Sequence, residues 1–177
     1  MIIKRMALAT AVVFLVTVAV RAQDSCQRQV ELVGGFSICI PEGWRVQEKE
    51  GQKFKLLFGT SGPTFTPNIN FKDAIDPRPI SDYATAGVDY ILKNFQEVGA
   101  TSVKLISKTP ITTAAGAQGM KVAMRAEFKG LLILSQQYYF NGKGDQKLIL
   151  TATSLEADQA TLDPIFDRAA KSFRLEK

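Results

Sequence analysis

The chain has 177 residues, with 22 Lys and Arg against 17 Asp and Glu, two Cys and no His. That length suits one domain, and an apolar share of 46% against 22% charged excludes disorder over most of it. The missing histidine excludes Ser-His-Asp and Cys-His catalysis, His-ligated zinc and an imidazole pH switch, and two cysteines are too few for a four-thiolate metal site.

Residues 1–22 read as an export signal. Lys4 and Arg5 open it, residues 6–20 are apolar apart from Thr10 and Thr17, and Val20-Arg21-Ala22 offers short residues to a signal peptidase. That run is shorter than the roughly 20 residues a membrane span needs. No stable span is therefore expected after cleavage, and the mature chain is one domain over 23–177, exported to the periplasm or the extracellular space. Cleavage removes Lys4, Arg5 and Arg21 and no acid, leaving 19 basic and 17 acidic residues, net +2. The remaining Lys and Arg are interleaved with acids, as in Arg45-Val46-Gln47-Glu48-Lys49-Glu50. A nucleic-acid partner wants a concentrated basic surface and is not expected.

Outside the cytoplasm, Cys26 and Cys39 are a disulfide candidate. The bridge would close a short loop, worth about 3 kcal/mol on the loop-entropy estimate. The local pattern complicates it. Residues 29–33 and 37–40 read as a hairpin around Gly34-Gly35, and pairing Leu32 with Ile38 and Val30 with Ile40 gathers apolar side chains on one face. In that register Cys39 faces Glu31 and Cys26 lies several residues further out. At about 3.3 Å per residue the gap exceeds the roughly 7 Å between bridged Cα atoms. A bridge then needs the chain before Gln29 to bend back, and the sequence leaves both states open. With no imidazole to activate a thiol, neither Cys reads as a nucleophile.

Strand 36–40 ends at Pro41, which cannot donate to a ladder, and Trp44 follows the turn at Glu42-Gly43. Residues 53–58 and 68–72 read as two more strands, separated by Gly59 and Gly62-Pro63. A helix is expected next, with Ser81 as its cap, Tyr83, Ala84, Val88, Ile91, Leu92 and Phe95 at helical spacing, and Gly99 as its stop. That stripe reads as core. Strand 103–106 follows. Residues 120–128, 131–140 and 147–153 then form an antiparallel meander through tight turns at Lys129-Gly130 and Asn141-Gly142. Leu162, Ile165, Phe166, Ala169 and Phe173 mark a last helix, expected to begin near Leu162 with Thr161 as cap because Pro164 suits only a first turn. The sum is an α+β domain, an antiparallel β-sheet flanked by helices.

Two segments carry a family resemblance. Phe36-Ser37-Ile38-Cys39-Ile40-Pro41-Glu42-Gly43-Trp44 resembles the F-S-x-x-I-P-x-G-W opening of PsbP-like domains and the related DcrB and LpqN-like exported bacterial proteins, and Phe166 with Lys171-Ser172-Phe173-Arg174-Leu175 resembles their terminal helix. The order of the elements between them is also the family's. The resemblance implies a PsbP-like α/β/α layered domain and non-enzymatic contact with protein assemblies. It carries over no functional residue, because the histidines linked with metal in plant PsbP have no counterpart here.

Asp73, Asp76, Asp82 and Asp89 lack the spacing of a calcium loop. Gly142-Lys143-Gly144 lacks the strand–loop–helix context of a phosphate cradle. Glu42, Glu48 and Glu50 would have to converge in a cleft to work as paired carboxylates. Of Tyr138, Tyr139 and Phe140, alternation sends Tyr139 to the face opposite the other two, so Tyr139 joins Trp44 as a candidate partner contact. The expectation is a non-catalytic exported domain with no cofactor that binds envelope proteins. The alternative is a carrier of a small apolar or lipid-like ligand, held in a cavity lined by Leu92, Phe95, Phe166 and the sheet.

Overall fold

A computed structural model describes residues 26–95, 97 and 99–176; the export signal read over 1–22 lies outside them. The first hairpin pairs β1 (Arg28–Glu31) with β2 (Phe36–Cys39). Its register sets Arg28 opposite Cys39 and Val30 opposite Ser37, three residues away from the pairing that apolar matching suggests. The reason is that Phe36 and Ile38 alone supply the buried face, while Val30, Leu32 and Val33 are 43%, 87% and 74% exposed. The shift carries Cys39 to within two residues of Cys26 across the ladder. The two sulfurs stand in bonding contact, with Cα atoms 5.5 Å apart, so the bend that the other register demanded is not needed.

β3 (Arg45–Gln47), β4 (Leu56–Phe58) and β5 (Asn68–Ile75) follow, then α1 (Ile80–Asn94). Pro79, not Ser81, stands at the helix cap and gives no side-chain bond; Ser81 Oγ bonds Asp82 Oδ1 at 3.1 Å instead. β6 (Ala100–Thr112), β7 (Gln118–Phe128), β8 (Leu131–Asn141) and β9 (Gln146–Leu155) make the meander. The turn between β7 and β8 has Lys129 at φ 49° and Gly130 at φ 78°, the two positive values that a two-residue hairpin requires. A 3-10 turn (Glu156–Asp158) runs straight into α2 (Gln159–Lys171), and β10 (Arg174–Leu175) is the last described strand. α2 thus starts three residues before the expected point and holds Pro164 in its second turn. Ala160 and Pro164 both face solvent, where water can take the carbonyl that the ring leaves unpaired.

The strands form two antiparallel sheets, not one: seven strands in the order β3-β4-β5-β9-β8-β7-β6, and three in the order β1-β2-β10. α1 packs on one face of the large sheet; α2 and the small sheet pack on the other. On the α2 face Phe140 and Phe173 stack with ring centroids 4.3 Å apart, and Phe36 lies 5.8 Å from Phe173. Each such buried ring contributes about 1.5–3 kcal/mol. On the other face Ala84 and Val88 of α1 pack over Val122, Met124 and Tyr139. Leu92, expected in that stripe, is exposed.

Candidate functional site: the open face beside α1

α1 is too narrow to cover a seven-stranded sheet. It sits over β7 and the near side of β8, so the same face of β4, β5 and β9 is left beside it. The result is a hollow of about 980 Å³, open along one side. Its floor follows from strand alternation. Ile69 and Phe71 of β5 turn into the α2-side core, so Asn68, Asn70 and Lys72 turn the other way. The register then aligns neighbours across the strands. Asn68 pairs with Thr153 and Thr153 with Ser135; Asn70 pairs with Thr151 and Thr151 with Gln137. Two parallel rows of uncharged polar side chains therefore cross the middle of the sheet. The next row, Lys72–Ile149–Tyr139, runs under the edge of α1.

The hollow's electrostatics are one-sided. Its lining holds Lys49, Lys72 and Arg78 and, among the described residues, no Asp or Glu. Arg78 grips Asp76 through Nε (2.9 Å) and Nη2 (2.7 Å) and lies 5.7 Å from the centre of the Tyr83 ring. Those hydrogen bonds hold the Asp76 carboxyl down to about 2. Lys49 and Lys72 have no ion-pair partner among the described residues.

The opposite face has another hollow, about 1610 Å³, along α2, Trp44 and the disulfide. Both signs of charge line it, and several of its polar groups pair with one another. Lys121 Nζ donates to Asp167 Oδ1 at 2.7 Å, and Arg28 donates to Ser37 Oγ (3.0 Å) and the Ser172 carbonyl (2.7 Å). This reads as a structural clasp between α2 and the sheets.

The candidate contact residues separate. Trp44 is half-buried on the α2 side, its ring edge-on to Phe166 at 5.9 Å, where it closes one end of that core. Tyr139 is 3% exposed, so the expectation that one of the three aromatics faces solvent does not hold. Alternation does put it opposite Tyr138 and Phe140, but at that point both faces of the sheet are covered, one by α2 and one by α1. Burial pushes the Tyr139 hydroxyl's pKa upward, and that hydroxyl bonds Gln137 Oε1. Phe95 and Phe166 also lie on opposite faces, so the cavity named for a carrier, lined by both, is not formed. The acids weighed for metal or acid–base work are dispersed: Asp73 pairs with Lys53 at 2.5 Å, Asp76 with Arg78, and Glu48 with Lys55 at 3.0 Å. Among the described residues no three Asp, Glu or Cys gather within reach of one metal ion. The polar floor itself was missed. Its signal was present, since N-I-N, S-Q-Q and T-A-T each place polar residues two apart, but aligning them needs the strand order.

No sequence-family profile and no curated protein sequence matches the chain. Solved structures do. Cyanobacterial PsbP (CyanoP) from Synechocystis superposes with a TM-score of 0.65 at 15% identity, over 84% of this chain and 91% of that one. LpqN of Mycobacterium tuberculosis, described as involved in cell envelope biogenesis, gives 0.57 at 15% identity over 88% of both chains. A Pseudomonas aeruginosa protein of unknown function gives 0.51 at 15% identity, over 73% of this chain and 94% of that one. At such identities the likeness is one of architecture: the chain has the PsbP-like fold.

Proposed function

We propose that this is an exported, non-catalytic domain that contacts other proteins of the cell envelope through the open face beside α1. The observation that carries the reading is the half-buried polar floor of an open hollow, two rows of Asn, Thr, Ser and Gln side chains between aromatic walls and unpaired lysines. A surface of mixed rings and neutral hydrogen-bonding groups is what a non-obligate interface presents. The leader over 1–22 and the envelope role printed for LpqN support the location. No helix of the described residues is long and apolar enough to cross a membrane. The carrier reading has less support, because the hollow is open and two polar rows cross its floor between apolar walls, where a lipid tail wants an enclosed apolar cavity.

Affinity purification of residues 23–177 from the native envelope tests the proposal, with Thr151→Arg as the control that fills the floor. Companion proteins recovered with the wild-type chain and lost with the variant would support it. A tightly held lipid with no protein companion would overturn it in favour of the carrier.

A further inference from the structure

We infer that the open face takes an extended, acidic segment of its partner's chain, an inference that rests on this face being the partner surface. Charge is the first argument. The mature chain is nearly balanced, yet the hollow's lining carries three cations and no described carboxylate. Arg78 is engaged by Asp76, which leaves Lys49 and Lys72 uncompensated. Such a local field draws an anionic ligand and rejects a cationic one.

Geometry is the second argument. The two polar rows lie two residues apart along the strands, about 6.8 Å. That is also the repeat between same-face side chains of any extended peptide. A segment lying along β5 and β9 would meet Asn68, Asn70 and Lys72 at successive repeats. Amide and hydroxyl groups can then bond its backbone N–H and C=O, and Lys72 can take a carboxylate. The cations come from three separate elements, the β3–β4 connection, β5 and the approach to α1. That spread suits charges distributed along a chain better than a single phosphate, which wants donors converging from one loop or helix end.

The experiment is fluorescence anisotropy of residues 23–177 with a labelled peptide of about ten residues alternating Glu and Thr, against its Gln-Thr counterpart and an oligogalacturonate. The Glu-Thr peptide should bind at least about tenfold tighter than Gln-Thr at low salt, and 1 M salt should erase the difference. Lys72→Glu and Lys49→Glu should each weaken it about fivefold or more. Lys171→Glu, exposed on α2 across the sheet, should change nothing. Equal binding of the two peptides, or a Lys72→Glu protein that behaves like Lys171→Glu, would overturn the inference. So would an oligogalacturonate that binds tighter than the peptide, which would assign the face to an acidic glycan. Companion proteins that disappear with Thr151→Arg, alongside no preference for the acidic peptide, would sink this inference and leave the partner surface standing.

Discussion

The Tyr138 hydroxyl on β8 donates to Asp167 Oδ1 on α2 at 2.7 Å, a polar link at a core that is otherwise apolar. Lys121 donates to the same oxygen from β7, and Gln136 reaches Asp163 one turn earlier on the helix. Three strand residues thus hold α2 in one rotational setting over the sheet. Tyr138→Phe keeps the ring and removes the donor, and should cost about 1–2 kcal/mol. Asp167→Ala leaves the half-buried Lys121 without its acceptor and Tyr138 with only Gln136 Oε1, 2.6 Å away, and should cost more, about 2–3 kcal/mol. Urea unfolding monitored by far-UV circular dichroism checks the order; equal, negligible losses would mean that packing alone seats the helix.

Alkaline titration reads both faces of the sheet. Burial raises the pKa of Tyr138 and Tyr139, and at Tyr138 the Asp167 carboxylate adds to it. A group raised in the folded state contributes stability that is complete below its unfolded value, about 10, and is lost as pH climbs above it. Phenolate absorbance at 295 nm should show these two tyrosines ionising only with unfolding. Ionisation of all four tyrosines before any loss of circular dichroism would contradict the burial.

The Cys26–Cys39 bridge ties the chain's start to β2 across a separation of 13 residues. Cys26→Ser should lower stability by about 3 kcal/mol. Alkylation of the unfolded chain should label neither sulfur until a reductant is added. Labelling of both without reductant would show the bridge to be absent.

Gly87 lies mid-helix in α1, where alanine usually stabilises by about 1 kcal/mol. Here an added Cβ would stand 2.6 Å from the Tyr139 Oη, closer than real Cβ contacts come, so the buried ring would have to shift. Gly87→Ala should destabilise by about 1 kcal/mol or more. In a Tyr139→Phe background the nearest ring atom is 3.3 Å away, and most of the loss should vanish. A Gly87→Ala protein that melts higher than wild type would refute the contact.

What was legible follows from which forces write themselves into local sequence. Much of β7 and β9 alternates because one face is more deeply covered than the other, β8 is a continuous run because both its faces are covered, and Lys129-Gly130 announces the turn between β7 and β8. The sequence pattern marks only 103–106 of β6, which runs for 13 residues, because an edge strand exposed along most of its length has no inner and outer face to alternate. A bulge between Leu105 and Ser107, with Lys104, Lys108 and Pro110 around it, blunts that edge against further pairing. The first hairpin misled because Val30, Leu32 and Val33 look like core and are surface. The polar floor was hidden for a different reason. Asn70, Thr151 and Gln137 lie far apart along the chain, and only the β5-β9-β8 order puts them side by side.

A photo-crosslinking side chain placed at Thr151 and, separately, at Arg168 on the exposed side of α2, in cells of the native organism, reads out whether the face beside α1 binds protein. Position 151 should give a discrete protein adduct that Lys72→Glu removes, and position 168 none. No protein adduct from position 151, or equal adducts from both positions, would contradict protein binding there.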